Sequence, residues 1–215
     1  GAKVLKATPT RLTLKHGRIE GPKGQSISFE DLMHKAFSSK AGEIVGRGSY
    51  QDIKSKKAAL GSPTTFWEIS WGGAEVEVDR DTGEIKLIKY VSLADVGQAI
   101  HPVLCEGQDE GGVMNALGHS LLEEMVYRDG QLLNPNLVDY RVPTFSDLPI
   151  GFETILVENH NGPGPFGAKG TGEGGLLPVA PAIGNALYKA TGVRLYRLPL
   201  TPERVWHALR AKNQS

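Results

Sequence analysis

The chain has little with which to cross-link itself, span a membrane or attract a polyanion. Of its 215 residues only Cys105 is a cysteine, so no disulfide can form within the chain, as is usual in a reducing compartment. No window approaches the roughly 18 consecutive apolar residues of a membrane helix, and the N-terminal sequence lacks the features of a signal peptide. Lys plus Arg and Asp plus Glu number 24 each, so bulk charge attracts neither nucleic acid nor anionic lipid. We expect a cytoplasmic protein that binds no nucleic acid and no membrane.

Several sequence motifs that indicate a particular function are also absent. The six histidines show no H-x-x-x-H or H-E-x-x-H spacing, so no zinc site is expected. A Walker loop needs a lysine followed by Ser or Thr, whereas Lys169 is followed by Gly170. The stretch GAKGTG does not lie between a strong parallel strand and a helix with an acidic residue about 20 positions later, which excludes a Rossmann fingerprint. The sequence therefore favours neither zinc nor nucleotide chemistry.

Local patterns predict most of the secondary structure. Alternating apolar and polar residues on either side of Asp81-Thr82-Gly83 predict a β-hairpin over residues 74–97. Ser28, with Asp31 three positions later, resembles a capping box that opens the helix FEDLMHKAF. Apolar periodicity and end signals predict three further helices, which are EGGVMNALGHSLLEEMVYRDG, ended by Asp129-Gly130; PVAPAIGNALYKATG, ended by Gly192; and PERVWHALRAK, preceded by Thr201.

The predicted strands and helices come in mixed order along the chain. We therefore expect an α+β fold rather than a regular parallel βαβ sheet. Residues 1–37 are predicted to form a small α+β segment, and residues 38–63, which are polar and rich in Gly, Lys and Ser, a loop or linker. Residues 64–215 then form the main domain.

A glycine-rich stretch, NGPGPFGAKGTGEGG (residues 161–175), holds seven glycines and two prolines around Lys169 and Glu173. Glycine loses the most backbone entropy on folding, so such a loop needs a compensating reason. One reason is a tight surface turn between a strand and a helix; the other is close approach of peptide N–H groups to an anionic or planar ligand. Glu173 is likewise explained either as a base beside an apolar wall or as a charge at a helix start.

A second stretch, ADVGQAIHPVLCEGQDEGG (residues 94–112), is predicted to be rich in turns and to lead into a helix. A helix N-terminus can hold anionic groups through its unpaired N–H donors. Gln108 offers an amide to a heterocycle or phosphate, or it is an exposed polar residue at the helix entrance. The sequence is consistent with both roles of Gln108.

Three motifs together resemble a known family. Residues 74–112, then DYRVPTFSDLP (residues 139–149), then residues 162–187 occur in the order and spacing of the C-terminal part of the molybdenum-binding subunit of the xanthine dehydrogenase family. That family comprises the molybdenum hydroxylases, among them xanthine, aldehyde, nicotinate, isoquinoline and carbon monoxide dehydrogenases. The resemblance runs from about Thr10 to Leu209, and it implies that residues 64–215 are a portion of the molybdopterin-binding domain.

The resemblance assigns roles to particular residues. It implies that Glu173 is the active-site base beside molybdenum, as the glutamate of the family's G-x-K-G-x-G-E motif. The adjoining loop, Lys169, Gly170, Thr171 and Gly172, is implied to contact the pterin, with Lys169 also helping to place the loop. The family's G-Q-x-x-G-G motif is matched by Gly107, Gln108, Gly111 and Gly112, which are implied to bind the cofactor. No protein ligand to the metal is implied.

The resemblance also implies a reaction and a set of partners. The expected reaction is hydroxylation of an electron-poor carbon, of N-heterocycle or aldehyde type, with water as the oxygen source. The implied cofactor is molybdenum-molybdopterin, in its plain or its cytosine dinucleotide form, with iron-sulfur clusters and FAD on partner subunits or domains. The rest of the molybdenum subunit would complete the site, so we expect a hetero-oligomer or a C-terminal fragment of a longer chain. The alternative is a noncatalytic accessory or interaction module of the same fold.

Overall fold

The computed structural model of the protein describes residues 1–38, 43, 45–51 and 64–213, and the side chain of residue 213 is not described. The chain divides into two compact units, Gly1–Ser49 and Tyr50–Ser215. Much of the predicted loop or linker at residues 38–63 lies outside the described residues. The sequence-based division into residues 1–37, 38–63 and 64–215 therefore stays a prediction.

The first unit is a small antiparallel sheet followed by a helix. Its elements are α1 Ala2–Leu5, a 3₁₀ turn at Pro9–Arg11, β1 Thr13–Lys15, β2 Arg18–Glu20, a 3₁₀ turn at Pro22–Gly24, β3 Ser26–Ser28 and α2 Phe29–Phe37. The strands pair in the order β1-β2-β3. The predicted start of α2 is confirmed, because the Ser28 hydroxyl accepts a hydrogen bond of 3.0 Å from the Asp31 peptide N–H. A small core consists of Leu5, Ile19, Ile27 and Leu32.

The second unit contains the long strands and helices. Its elements are β4 Ser70–Val78, β5 Ile85–Gly97, α3 Pro102–Leu117, a π-helical turn at Gly118–Leu122, β6 Tyr127–Arg128, β7 Gln131–Leu132, a 3₁₀ turn at Phe145–Asp147, β8 Gly151–Glu158, a 3₁₀ turn at Pro165–Gly167, α4 Val179–Thr191 and α5 Pro202–Asn213. Across the described ranges of both units, the helices are all too short or too polar to cross a bilayer.

Strand β5 is the centre of a three-stranded sheet of order β4-β5-β8. It runs antiparallel to β4, which confirms the predicted hairpin, and parallel to β8. Asp79 fixes the hairpin turn, because its Oδ1 accepts hydrogen bonds of 2.8 and 3.0 Å from the peptide N–H groups of Asp81 and Thr82. Parallel neighbours need a crossover, and α3 lies within the connection from β5 to β8. The result is an α+β fold with a mixed sheet, so the predicted fold class is confirmed.

Helices α3 and α4 pack with the sheet to form the main core. Tyr90 of β5, Val113 of α3 and Ile183 of α4 are each completely buried within it. A fully buried aliphatic side chain of this kind contributes about 1.5–3 kcal/mol through removal of apolar surface from water. Helix α4 ends at Thr191, and Gly192 caps it with a left-handed φ of 71°, which confirms the predicted stop at this glycine. This core fixes the position of α3 relative to the end of β5.

The helix predicted over residues 110–130 is wrong in both of its boundaries. Helix α3 begins eight positions earlier, at Pro102, with the His101 side chain as its cap, and it ends at Leu117. Residues 102–112 are therefore helical and not rich in turns. The predicted stop at Asp129-Gly130 is instead the turn between β6 and β7, where both residues have positive φ, as a two-residue hairpin requires. The apolar pattern was misleading because Met125, 57% exposed, does not face the core.

Candidate functional site

The two sequence motifs meet at the carboxyl end of the sheet. Strands β5 and β8 are parallel and end side by side, with Gly97 paired to Glu158. Helix α3 follows β5, and the glycine-rich loop, residues 159–175, follows β8. Ligands in sheets with parallel strands bind outside the carboxyl ends of those strands, where the connecting segments diverge. The topology therefore places both motifs where a ligand site is expected.

A buried ion pair anchors the loop to the end of β5. The Lys169 ammonium donates to Asp95 Oδ2 at 2.6 Å, and the two side chains are only 6% and 7% exposed. Asp95 Oδ1 accepts from Asn159 Nδ2 at 2.9 Å and from the Gly97 peptide N–H at 3.2 Å. The Lys169 ammonium also donates to the carbonyl of Trp67 at 3.1 Å. Four segments of the chain are thus joined through one carboxylate and one ammonium.

The charge balance of this cluster favours an ionised Asp95. Burial alone raises the pKa of Asp95, because the charged form loses its hydration. The hydrogen bond and charge of Lys169, with the donors at Gly97 and Asn159, outweigh burial, so the pKa of Asp95 is lowered. Asp95 is therefore ionised at neutral pH.

Backbone contacts complete the attachment of the loop. The Lys169 peptide N–H donates to the Val96 carbonyl at 3.0 Å, and the Gln98 N–H donates to the Gly167 carbonyl at 3.1 Å. Gly97 lies between these bonds with a φ of 66°, and a side chain there would collide with the Gly167 carbonyl. Glycine is required at position 97 both for this left-handed φ and for the close approach of the two backbones.

Helix α3 holds the next part of the same loop. The Gln108 amide nitrogen donates to the Gly172 carbonyl at 3.0 Å, which joins two residues that are 64 positions apart. A Cβ on Gly112 would lie 3.2 Å from the Leu176 nitrogen, so the loop packs tightly against this turn of the helix. The structure thus brings together the residues that were predicted separately from the two motifs.

Not all the motif glycines serve this packing. Gly107 and Gly111, one helical turn apart on α3, and Gly172 of the loop have no atom within 4 Å of where a Cβ would be. By contrast, a Cβ on Gly170 would lie 3.1 Å from the Phe66 ring. The first three glycines leave open space where a ligand can approach the backbone closely.

Free hydrogen-bond donors lie beside this open space. Within the part of the chain that the structure describes, the peptide N–H groups of Gly170, Thr171 and Glu173 donate to no protein acceptor. Gln108 is exposed, and among described residues its Oε1 accepts no hydrogen bond. Open backbone with unpaired donors and an amide oxygen suits a planar ligand that has ring nitrogens and anionic groups. The donor set therefore fits a pterin.

Glu173 is the exposed carboxylate of this loop. Its side chain makes no hydrogen bond or ion pair with any described residue. Helix α4 begins only at Val179, and its first turn carries no acidic residue, so Glu173 is not a helix-start charge. The alternative explanation of Glu173 as a partner of the helix dipole is therefore wrong.

The sequence did not reveal four polar residues that build the site. Asp95 binds the Lys169 ammonium and itself accepts from Asn159, Glu68 accepts a hydrogen bond of 3.4 Å from the Gly172 N–H, and Asp109 lies buried beneath Gly175. A Cβ on Gly175 would lie 2.6 Å from Asp109 Oδ1, and Asp109 Oδ2 accepts from Thr154 Oγ1 at 3.2 Å. The available signal was a carboxylate, Asp95, between the apolar residues Ala94 and Val96 at the carboxyl end of β5.

Comparison with known proteins identifies the relatives of this chain. The sequence model of a family described as "Molybdopterin cofactor-binding domain" matches residues 1–149. The chain is 37% identical over 210 residues to the probable hypoxanthine oxidase XdhD of Escherichia coli K12, covering 97% of this chain and 20% of that protein. It is 34% identical over 212 residues to the putative xanthine dehydrogenase molybdenum-binding subunit XdhA of the same strain, covering 95% and 27%.

A solved structure has the same fold. Quinoline 2-oxidoreductase from Pseudomonas putida 86 matches with a TM-score of 0.71 at 25% identity, over 97% of this chain and 27% of that one. The chain therefore spans between 20% and 27% of the length of these relatives.

Proposed function

This chain belongs to the molybdopterin cofactor-binding domain family, and we propose that it forms one wall of the molybdenum site in a hydroxylase of xanthine dehydrogenase type, with Glu173 as the base. One observation carries the proposal: Gln108 and Gly172, from the two motifs, are hydrogen-bonded, and the free carboxylate of Glu173 adjoins them. A site with open backbone, free donors and an unpaired carboxylate has the parts that such a reaction needs.

The proposed cofactor contacts follow from where the backbone is open. The pterin would lie against Gly107 and Gly111 of α3 and against Gly170, Thr171 and Gly172 of the loop. Gln108 would present its free Oε1, while its amide nitrogen holds the loop. Gly112 and Lys169 would support the loop without touching the pterin. Gly112 does so by letting the loop pack closely on α3, and Lys169 through its ion pair with Asp95. The plain and the cytosine dinucleotide forms of the cofactor both suit these contacts.

Glu173 would act as a general base toward the attacking oxygen. When bound, the molybdenum-pterin group supplies the oxygen-activating and two-electron chemistry. A base must lie within about 2.6–3.2 Å of the atom from which it takes a proton. The carboxylate of Glu173 has no competing partner among the described residues, so it is free to take up that position. The loop contacts of Lys169 and Gln108 restrict where it lies.

The proposed substrate is an electron-poor carbon in an N-heterocycle or an aldehyde. The names of two relatives, a hypoxanthine oxidase and a quinoline oxidoreductase, denote N-heterocyclic substrates and favour the first class. Other relatives carry the names nicotine 6-hydroxylase large subunit and aldehyde oxidoreductase. Pocket residues outside this chain would select among such substrates.

The proposed partners are the rest of the molybdenum subunit and iron-sulfur and flavin subunits or domains, in a cytoplasmic complex. Large apolar side chains stand almost fully exposed, among them Phe145 at 90%, Ile150 at 104% and Tyr196 at 94%. We propose that partner subunits or domains cover these side chains, since contiguous exposed apolar surface is typical of interfaces. Relatives named as complex or large subunits favour the same arrangement.

The test of this function is the molybdenum content of the complete enzyme, measured for two glycine variants. Gly111→Leu would fill the open face of α3 and is expected to reduce molybdenum per chain from near-stoichiometric to less than about a tenth, because the pterin and the leucine would compete for the same space. Gly184→Leu is the matched control, since Gly184 of α4 is also a helical glycine with no atom within 4 Å of a Cβ.

Each outcome of that test has a definite meaning. Loss of molybdenum in Gly111→Leu alone supports the site. Full molybdenum in Gly111→Leu would contradict the proposed face of α3. Absence of molybdenum from the unsubstituted protein would favour the noncatalytic module.

A further inference from the structure

A strap of three consecutive residues, Phe66, Trp67 and Glu68, crosses the loop that carries Glu173. The Phe66 ring lies 3.1 Å from where a Cβ on Gly170 would be, and the Trp67 carbonyl accepts 3.1 Å from the Lys169 ammonium. The Glu68 carboxylate accepts 3.4 Å from the Gly172 N–H. It also lies against Gly174, where a Cβ would collide with it. The strap therefore contacts the loop on both sides of Glu173.

Gly172 is the residue on which these contacts converge. Its N–H donates to Glu68, and its carbonyl accepts from Gln108, so both peptide groups that flank Gly172 are held. The second of these peptide groups contains the nitrogen of Glu173. Rotation about either backbone bond of Gly172 would break one of the two hydrogen bonds, and a glycine otherwise resists such rotation least.

We propose that Glu68 is a positioning residue for the active-site base: its carboxylate, by accepting from the Gly172 N–H opposite Gln108, fixes the backbone from which Glu173 extends. This rests on the proposed function of Glu173. No other described group accepts from the Gly172 N–H, so Glu68 alone provides this half of the clamp. The residue comes from the segment before β4, outside both of the sequence motifs.

The surroundings of Glu68 disfavour the charged form of its carboxylate. Burial raises the pKa of Glu68, and the nearby carboxylates of Asp109 and Asp95 raise it further. The Gly172 N–H and the Lys169 ammonium lower it, but the net direction is upward. A half-buried carboxylate beside two others is unfavourable for folding, so stability does not explain why a glutamate stands at position 68. Its hydrogen bond with the Gly172 N–H does explain it.

The test compares two variants of the complete enzyme that differ only in the hydrogen-bond acceptor. Glu68→Met and Glu68→Gln both remove the charge and keep nearly the same shape against Gly174, but only Gln can still accept from the Gly172 N–H. Hydrogen exchange of the peptide spanning residues 169–176, molybdenum content, kcat and KM are measured for each. The exchange measurement does not depend on turnover.

The two variants are expected to differ in hydrogen exchange and in kcat. Glu68→Met should exchange in residues 169–176 at least tenfold faster, and its kcat should fall about tenfold or more, since displacement of a catalytic group by about 1 Å can cost up to 100-fold. KM and molybdenum content should each stay within about twofold, because Glu68 is not among the residues proposed to contact the pterin or the substrate, and Gly107 and Gly111 of α3 are unchanged. Glu68→Gln should be close to the unsubstituted enzyme in all four measurements.

Three results would overturn the proposal: unchanged exchange in Glu68→Met, faster exchange with an unchanged kcat, or an equal loss of kcat in Glu68→Gln. The second would make the contact structural only, and the third would assign the effect to charge. An active Glu173→Gln enzyme would instead remove the proposed function. The exchange data would then still report whether Glu68 holds the loop, so the two failures are distinguishable.

Discussion

Replacement of Glu173 by Gln in the complete enzyme is expected to lower kcat by about 10²–10⁴-fold, the usual contribution of a positioned general base. Gln has the same shape but cannot take up a proton at neutral pH. The fold should be unaffected, because the Glu173 side chain is exposed and binds no described residue. Molybdenum content should also stay at the level of the unsubstituted enzyme. Metal analysis and steady-state kinetics on the same preparation measure both quantities.

A matched control comes from the neighbouring helix. Glu110 is an exposed carboxylate of α3, two positions from Gln108, with no described partner. Glu110→Gln removes the same charge from the same region and should leave kcat within about twofold, as surface substitutions usually do. Near-normal turnover in Glu173→Gln would show that Glu173 is not the base. Equal losses in the two variants would assign the effect to net charge.

Local signals predicted those elements whose ends carry capping residues. The start of α2 at Ser28 and the end of α4 at Gly192 are examples, since each depends on residues within one helical turn. The start of helix α3 at Pro102 was not predicted in this way. Each glycine in a helix interior is unfavourable by about 0.8–1.0 kcal/mol relative to alanine, so Gly107, Gly111 and Gly112 argue locally against a helix. Burial of Val113 on the same helix offsets that cost, and burial is a tertiary effect.

The candidate site was predictable only as separate motifs. The sequence identified the loop around Glu173 and the segment around Gln108, but their contact joins residues 64 positions apart. The residues that hold the loop come from elsewhere, such as Asp95, which is 74 positions from Lys169, and Glu68, which is 104 positions from Gly172. Neither carboxylate belongs to a spacing pattern, so only the folded chain shows what they bind.

Replacement of Lys169 by Met is expected to destabilise the protein by about 3–5 kcal/mol, the usual effect of removing one partner from a buried ion pair. Asp95 is 7% exposed and would be left as a buried charge that only Asn159 and the Gly97 N–H stabilise. The free energy of unfolding, from urea denaturation of the purified protein, measures this effect. Lys189→Met, at an exposed lysine of α4, is the control and should change stability by no more than about 0.5 kcal/mol.

A second substitution and a pH series separate the unpaired charge from the loss of packing. Asp95→Asn added to Lys169→Met removes the charge and should restore most of the lost stability, because a buried pair can be replaced by neutral groups at little cost.

The pH series uses the lowered pKa of Asp95. This lowered pKa stabilises the native state at pH values above the ordinary aspartate pKa of about 3.9, and the stabilisation is lost as pH falls through the folded pKa. Acid also neutralises the unpaired Asp95 of the variant. The difference in unfolding free energy between the unsubstituted protein and Lys169→Met should therefore narrow from pH 7 to pH 3. A constant difference would mean that Lys169 acts through packing alone.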